Sequence, residues 1–264
     1  MAAAAGFLLA SEWQFSWKNF LATLAGTTLI IASACVFNNY IDRGIDKKMT
    51  RTKRRAIASG DVSAVQALSY GVALSLFGFG ILLLWTYWLV AAIGAIGLFF
   101  YVVVYGIAKR RTVHGTLVGT ISGSMPLVAG YVAATKRLDM GAVLLVAIMT
   151  AWQMAHFYAI AVYRLEDYRA AGLPMLPVVK GVQRARVEII GYTVLFAAAV
   201  AALTLYGYAG VIFALVMLPV SVYWLWGAFV STNSNAAWGR NMFIISLLVL
   251  LILCVMLAVG SVLP

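Results

Sequence analysis

Charge is what this sequence has least of. Only 10% of its 264 residues are charged, and Asp and Glu together number 8, against roughly a quarter charged residues in soluble globular domains. A surface facing water on all sides is thereby excluded. Cysteine occurs twice with no Cys-x-x-Cys spacing, so neither a disulfide framework nor a thiolate zinc site is encoded. Cys35 and Cys254 fall inside apolar runs, where a thiol acts as a small apolar group. No basic residue precedes the apolar start, so it does not read as a secretory signal.

What fills the space is apolar. Hydrophobic residues make up 64% of the chain, in runs long enough to cross a hydrocarbon core of about 30 Å. Backbone polar groups in lipid must be satisfied within their own segment, so such runs read as helices. The expectation is an all-α, polytopic transmembrane bundle with eight full spans near 19–40, 64–84, 88–108, 115–134, 141–162, 187–206, 210–229 and 241–262, plus a short first helix over 1–10. Residues 1–264 read as one domain. Threading the spans alternately puts the loops 41–63, 109–114, 163–186 and 230–240 on one side, with 16 of the 19 Lys and Arg residues. The positive-inside rule makes that side cytoplasmic. The net charge of +11 is then loop asymmetry facing the lipid bilayer, and no nucleic acid is implied.

Two long basic loops begin with acids, Asp42 and Asp46 in one, Glu166 and Asp167 in the other, as a parallel internal repeat would place them. If the helix continues through the first turn, Asn38, Asp42 and Asp46 lie at i, i+4 and i+8 on one face. Oxygen ligands so arranged suit Mg²⁺, which takes few carboxylates and shares its other positions with water and phosphate. The bland alternative is a pair of solvated loop acids, against which stands their place in an Asn-rich turn at a membrane edge. For Lys47 to Arg55 the alternative is strong, because topology and anionic lipid alone would produce it. Gly115, Gly119 and Gly123 recur every fourth residue and read as close helix packing, and Pro126 as a kink.

The run Asn38-Asn39-x-x-Asp42-x-x-x-Asp46 resembles the first aspartate motif of UbiA-type intramembrane prenyltransferases. Further segments resemble the heme-farnesylating branch of that family: Arg51 to Arg55, Tyr105 through Lys109 to Thr112, Trp152-Gln153-Met154-Ala155-His156-Phe157, Asp167-Tyr168 and Pro174 to Val178. The resemblance spans nearly the whole chain. It implies a nine-helix bundle in the cell inner membrane, its active-site loops cytoplasmic, that joins the farnesyl group of farnesyl diphosphate to a vinyl group of heme B with addition of water. Mg²⁺ is the implied cofactor, on Asp42 and Asp46 with Asn38 or Asn39. Arg51, Arg55, Lys109 and Arg110 are the implied diphosphate contacts, and Tyr40, Tyr105 and Tyr158 the π-faces for an allylic cation. His156 is implied as a porphyrin contact and Glu166 with Asp167 as a second acidic motif. Heme-pathway or oxidase-assembly partners would follow.

The chain departs from the family pattern twice. Ala155 stands where proline is usual, which removes a helix distortion beside His156. Ten helical residues over 1–10 span about 15 Å, half a bilayer core, so a version extended upstream is expected to be more stable and more active. Two other functions stay open: a UbiA-type enzyme acting on a quinone precursor, and a transporter or channel. The first would not be expected to carry the Trp152 to Phe157 segment, and the second gives no reason for Asn38, Asp42 and Asp46 together.

Overall fold

The computed structural model describes residues 1–11, 15–230 and 232–260, and its described residues form helices and connecting turns. Nine helices organise it: α1 (Ala2–Ser11), α2 (Trp17–Asp46), α3 (Ala64–Trp85), α4 (Trp88–Arg111), α5 (Gly115–Thr135), α6 (Met140–Tyr163), α7 (Gly181–Leu205), α8 (Val211–Gly227) and α9 (Asn235–Val259). Seven of them are long and apolar enough to cross a membrane. The eighth expected span is α8, 17 residues long, and the short start is the 10-residue α1. The last span ends at Val259 and not at 262, a position outside the described residues. This is a multi-pass membrane protein.

Helix order divides into two equivalent halves after α1. The starts Trp17, Ala64, Trp88 and Gly115 correspond in sequence to Met140, Gly181, Val211 and Asn235. In each half the first helix packs along the second and meets the fourth, and the third joins them. Short helices fill the two long loops, Ala56–Ser59 in one half, Leu165–Ala170 and Leu176–Val179 in the other. Helix order and contacts thus recur between the halves, as an internal repeat requires.

The N-terminal helix is held by backbone-close packing. A Cβ on Gly6 would lie 2.1 Å from the Leu127 carbonyl oxygen, and one on Gly130 would lie 1.9 Å from that of Ala3. Two helices in an apolar medium gain from contact only when small residues let them approach this closely. Phe7, 1% exposed, then fills the space beside Phe15 and Phe20. Polar caps fix other ends: Ser16 accepts from the Asn19 amide, Asp139 from that of Ala142, and Ser63 with Gln66 forms a reciprocal capping box.

Gly6→Ala and Gly130→Ala are expected to destabilise by about 1–3 kcal/mol each through overpacking. The control is Gly191→Ala, where an added Cβ meets open space. Thermal unfolding in detergent should separate the first two variants from the third.

Candidate functional site

One helix carries the acids. Helix α2 continues without a break to Asp46, so Asn38, Asp42 and Asp46 follow one another along one face, 9%, 7% and 4% exposed. All three line a cavity of about 650 Å³ enclosed by α2, α4, α5 and α6 with Phe243 of α9, and capped by the two long loops. Buried carboxylates must be paired, and here cations from three directions do it. Lys109 bonds Asp42 Oδ2 and donates to Asn38 Oδ1 at 2.7 Å. Arg110 Nη2 donates to Asp42 Oδ1 at 2.8 Å. Arg55 reaches back from the loop to Asp46, at 3.0 Å to Oδ2, and to Asn39 Oδ1, also at 3.0 Å. Thr52, 2% exposed, donates to the Asp46 carbonyl and pins that loop to the end of α2.

The facing wall depends on local helix geometry. Residues Phe100–Tyr105 form a π-helical segment within α4, a widened turn often found at functional sites. It presents Tyr101 and Tyr105 to the cavity, stacked with centroids 5.6 Å apart, and sets the Lys109 ammonium 4.9 Å from the Tyr105 ring centre. The glycine ladder of α5 makes room. A Cβ on Gly115 would lie 2.5 Å from Lys109 Cα, one on Gly119 3.0 Å from the Tyr105 ring, and one on Gly123 1.8 Å from Gln153 Oε1. The glycines read as packing residues therefore seat three cavity side chains in succession.

Several sequence expectations are not brought into this cavity. Tyr158 is buried against Tyr192, with centroids 6.3 Å apart, and does not line it. Tyr40 lies under the Arg43 guanidinium instead. Glu166, its side chain 79% exposed, pairs with Arg169 at 2.7 Å, and Asp167 also stands outside. The reason is that α6 ends at Tyr163 and Arg164 breaks the path, so Leu165–Ala170 is a separate short helix that turns both acids away. The same end of the second half supplies Tyr163, Arg164 and Tyr168 to the cavity mouth. Burial pushes the Tyr168 phenol up, with Arg51 opposing, so it remains a hydrogen-bond donor there.

His156 is one layer back. Its ring stacks on Trp152 at 4.5 Å and touches Phe157 and Phe243, both of which line the cavity. Ser246 Oγ donates to the Phe243 carbonyl at 2.6 Å, so at the 2.7 Å contact it accepts from His156 Nδ1–H. Helix α6 is continuous through Ala155. Arg51, expected from the basic run, lines the mouth, whereas Arg110 bonds Asp42 from outside the lining. Sequence reasoning missed Tyr101, Arg164, Tyr168 and, as a site residue, Gln153. The π-segment that aims Tyr101 has no sequence signal beyond an aromatic, β-branched run.

Oxygen donors of this kind fit a hard divalent cation: two buried carboxylates and an amide oxygen on one cavity face. No cluster of three or more His, Cys, Asp or Glu occurs among the described residues. A cage made wholly of protein ligands is thus not offered, and Mg²⁺, content with few carboxylates plus phosphate oxygens, suits the set.

The sequence profile of the UbiA prenyltransferase family matches residues 1–248. The chain belongs to that family. It is 45% identical over 257 residues to a protoheme IX farnesyltransferase of Serratia proteamaculans, covering 96% of this chain and 87% of that one. Its fold matches a digeranylgeranylglyceryl phosphate synthase structure with TM-score 0.80 at 16% identity, over 99% of this chain and 92% of that one. A UbiA homolog from Archaeoglobus fulgidus bound to GPP and Mg²⁺ matches with TM-score 0.72 at 14% identity, over 97% and 94%. UbiA folds are thus solved with prenyl diphosphate and Mg²⁺.

Lys109→Met would leave Asp42 buried with Arg110 alone, and should lower the thermal midpoint in detergent. Asp42→Asn added to it should recover part of the loss, with a coupling of about 1–3 kcal/mol. Additive effects would mean the pair does not hold.

Proposed function

We propose that this protein transfers the farnesyl group of farnesyl diphosphate to a vinyl group of heme B, with addition of water, giving heme O and diphosphate. The observation that carries the reading is a single cavity with a cationic end and an apolar remainder. Lys109, Arg110 and Arg55 pair with two carboxylates there, and Arg51 and Arg164 also line the cavity, an excess of positive charge suited to a diphosphate. Deeper walls of Ile30, Leu98 and Phe243 suit an isoprenoid and a porphyrin. Heme as the acceptor is supported by relatives named protoheme IX farnesyltransferase.

Each residue then has a task. Lys109 and Arg55, with Arg51 from the loop, bind the diphosphate oxygens and stabilise charge that grows as the C1–O bond breaks. Asp42 and Asp46, with Asn38, would hold Mg²⁺, which supplies further positive charge to the leaving group when bound. Asn39 fixes Arg55. Tyr101 and Tyr105 lend π-electron density to the cavity wall that an allylic cation would meet. Apolar walls keep water from capturing that cation before the vinyl group does. His156 acts on the acceptor indirectly, through Phe157 and Phe243, and not by direct porphyrin contact. Since the basic loops are cytoplasmic by the positive-inside rule, the site opens to the cytoplasmic face of the inner membrane.

The direct test incubates the purified protein with Mg²⁺, heme B and farnesyl diphosphate and identifies the heme product by mass. A quinone precursor prenylated in place of heme would overturn the reading. Asp42→Asn and Asp46→Asn should each lower turnover by roughly 10²-fold or more at saturating Mg²⁺ while membrane insertion is retained. His156→Ala should raise the KM for heme several times more than that for farnesyl diphosphate, as initial rates against each substrate would reveal.

A further inference from the structure

The cavity holds one polar group that the reaction so far leaves unused. Gln153 on α6 is 4% exposed and lines the cavity beside Gly123. The two hydrogens of its Nε2 are shared among three acceptors, the Met149 carbonyl at 3.0 Å, the Thr120 carbonyl at 3.3 Å and Ser124 Oγ at 3.3 Å. Two of these partners are carbonyl oxygens, which cannot donate, so the amide cannot be turned over without placing oxygen against oxygen. Oε1 is therefore held facing Gly123, with no donor from the described residues. Glycine at 123 is what leaves the oxygen its place, since a Cβ there would lie 1.8 Å away.

The surroundings repeat the same polarity. Thr120, Ser122 and Ser124 donate their hydroxyl hydrogens to the carbonyls of Leu117, Gly119 and Thr120. Pro126, on the same wall, brings no N–H to the Ser122 carbonyl. The wall beside Gly123 thus offers a hydrogen-bond acceptor, Gln153 Oε1, among apolar neighbours, and the Ser122 carbonyl is a second acceptor on the same lining. A water bound by two acceptors gives both its hydrogens to them and turns its lone pairs outward. The successive partners Lys109–Gly115, Tyr105–Gly119 and Gln153–Gly123 put this spot eight residues along α5 from the cation cluster, about 12 Å at 1.5 Å per residue. A new carbon–carbon bond would form between the two.

We infer that Gln153 positions the water that completes the product, an inference that rests on the heme-farnesylating reading. The C1–O bond of the isoprenoid breaks with its electron pair on diphosphate. The vinyl π pair forms the C–C bond, leaving a cation on the carbon attached to the porphyrin. A lone pair of the water held by Gln153 closes that cation as a C–O bond, and the released proton leaves to solvent, which balances the diphosphate set free as an anion. Without a held water the same cation loses a proton from the adjacent carbon and gives an alkene one water lighter.

The test is product composition. Full-length wild type and Gln153→Met, with Mg²⁺, heme B and farnesyl diphosphate, are compared by mass spectrometry of the heme products. The share of the lighter alkene should rise roughly five- to tenfold in Gln153→Met, the effect of losing one hydrogen bond to the nucleophile. Gly123→Ala, which displaces Oε1 from the other helix, should shift composition the same way and covers the case in which Gln153→Met fails to fold. A slower variant with the wild-type product ratio overturns the positioning role and leaves the farnesyltransferase reading intact. Absence of any farnesylated heme from wild type overturns both.

Discussion

Two carboxylates buried at the end of a membrane helix impose the arrangement of everything near them. Asp42 and Asp46 are 7% and 4% exposed, where an unpaired charge would cost several kcal/mol. Their partners come from α4 and from the loop after α2, so pairing ties three separate segments together. Removing the acids would leave Lys109, 9% exposed, equally unmatched. The charge cluster is thus a clasp for the end of the bundle that carries the two long loops, and it places an excess of positive charge on the cavity.

That clasp works only because the helices beneath it approach closely. The α5 glycines carry Lys109, Tyr105 and Gln153 against them in order, so that a single stripe without side chains sets how closely three cavity residues approach α5. The widened turn in α4 then rotates two tyrosines onto the cavity. Helix packing and cavity shape are not separable along this wall: a methyl group on the stripe would displace a cavity-lining residue directly.

The internal repeat explains why the site is one-sided. Both halves begin with a long helix whose end meets a basic loop, yet α2 runs on to Asp46 whereas α6 stops at Tyr163. The extra turns of α2 carry its acids inward, and the break at Arg164 sends Glu166 and Asp167 to the outside. Equivalent helix ends therefore contribute carboxylates from one half, and from the other Tyr163 with Arg164 and Tyr168 of the segment that follows.

Helix class, span positions and the i, i+4, i+8 face of Asn38, Asp42 and Asp46 were legible in the sequence, because hydrophobic runs and helical periodicity are local properties of a chain in lipid. So was the concentration of base in particular loops. Which bases meet which acids was not legible: Arg55 could have been a topology signal alone, and Arg110 differs from Arg111 only in the direction it faces. Tyr158 and Glu166 look as functional as Tyr105 and Asp46 when read in line. What separates them is helix rotation and where a helix stops, and both are decided by contacts between residues far apart in the chain, such as Gly115 with Lys109 and Ser246 with His156, which periodicity within one helix does not encode.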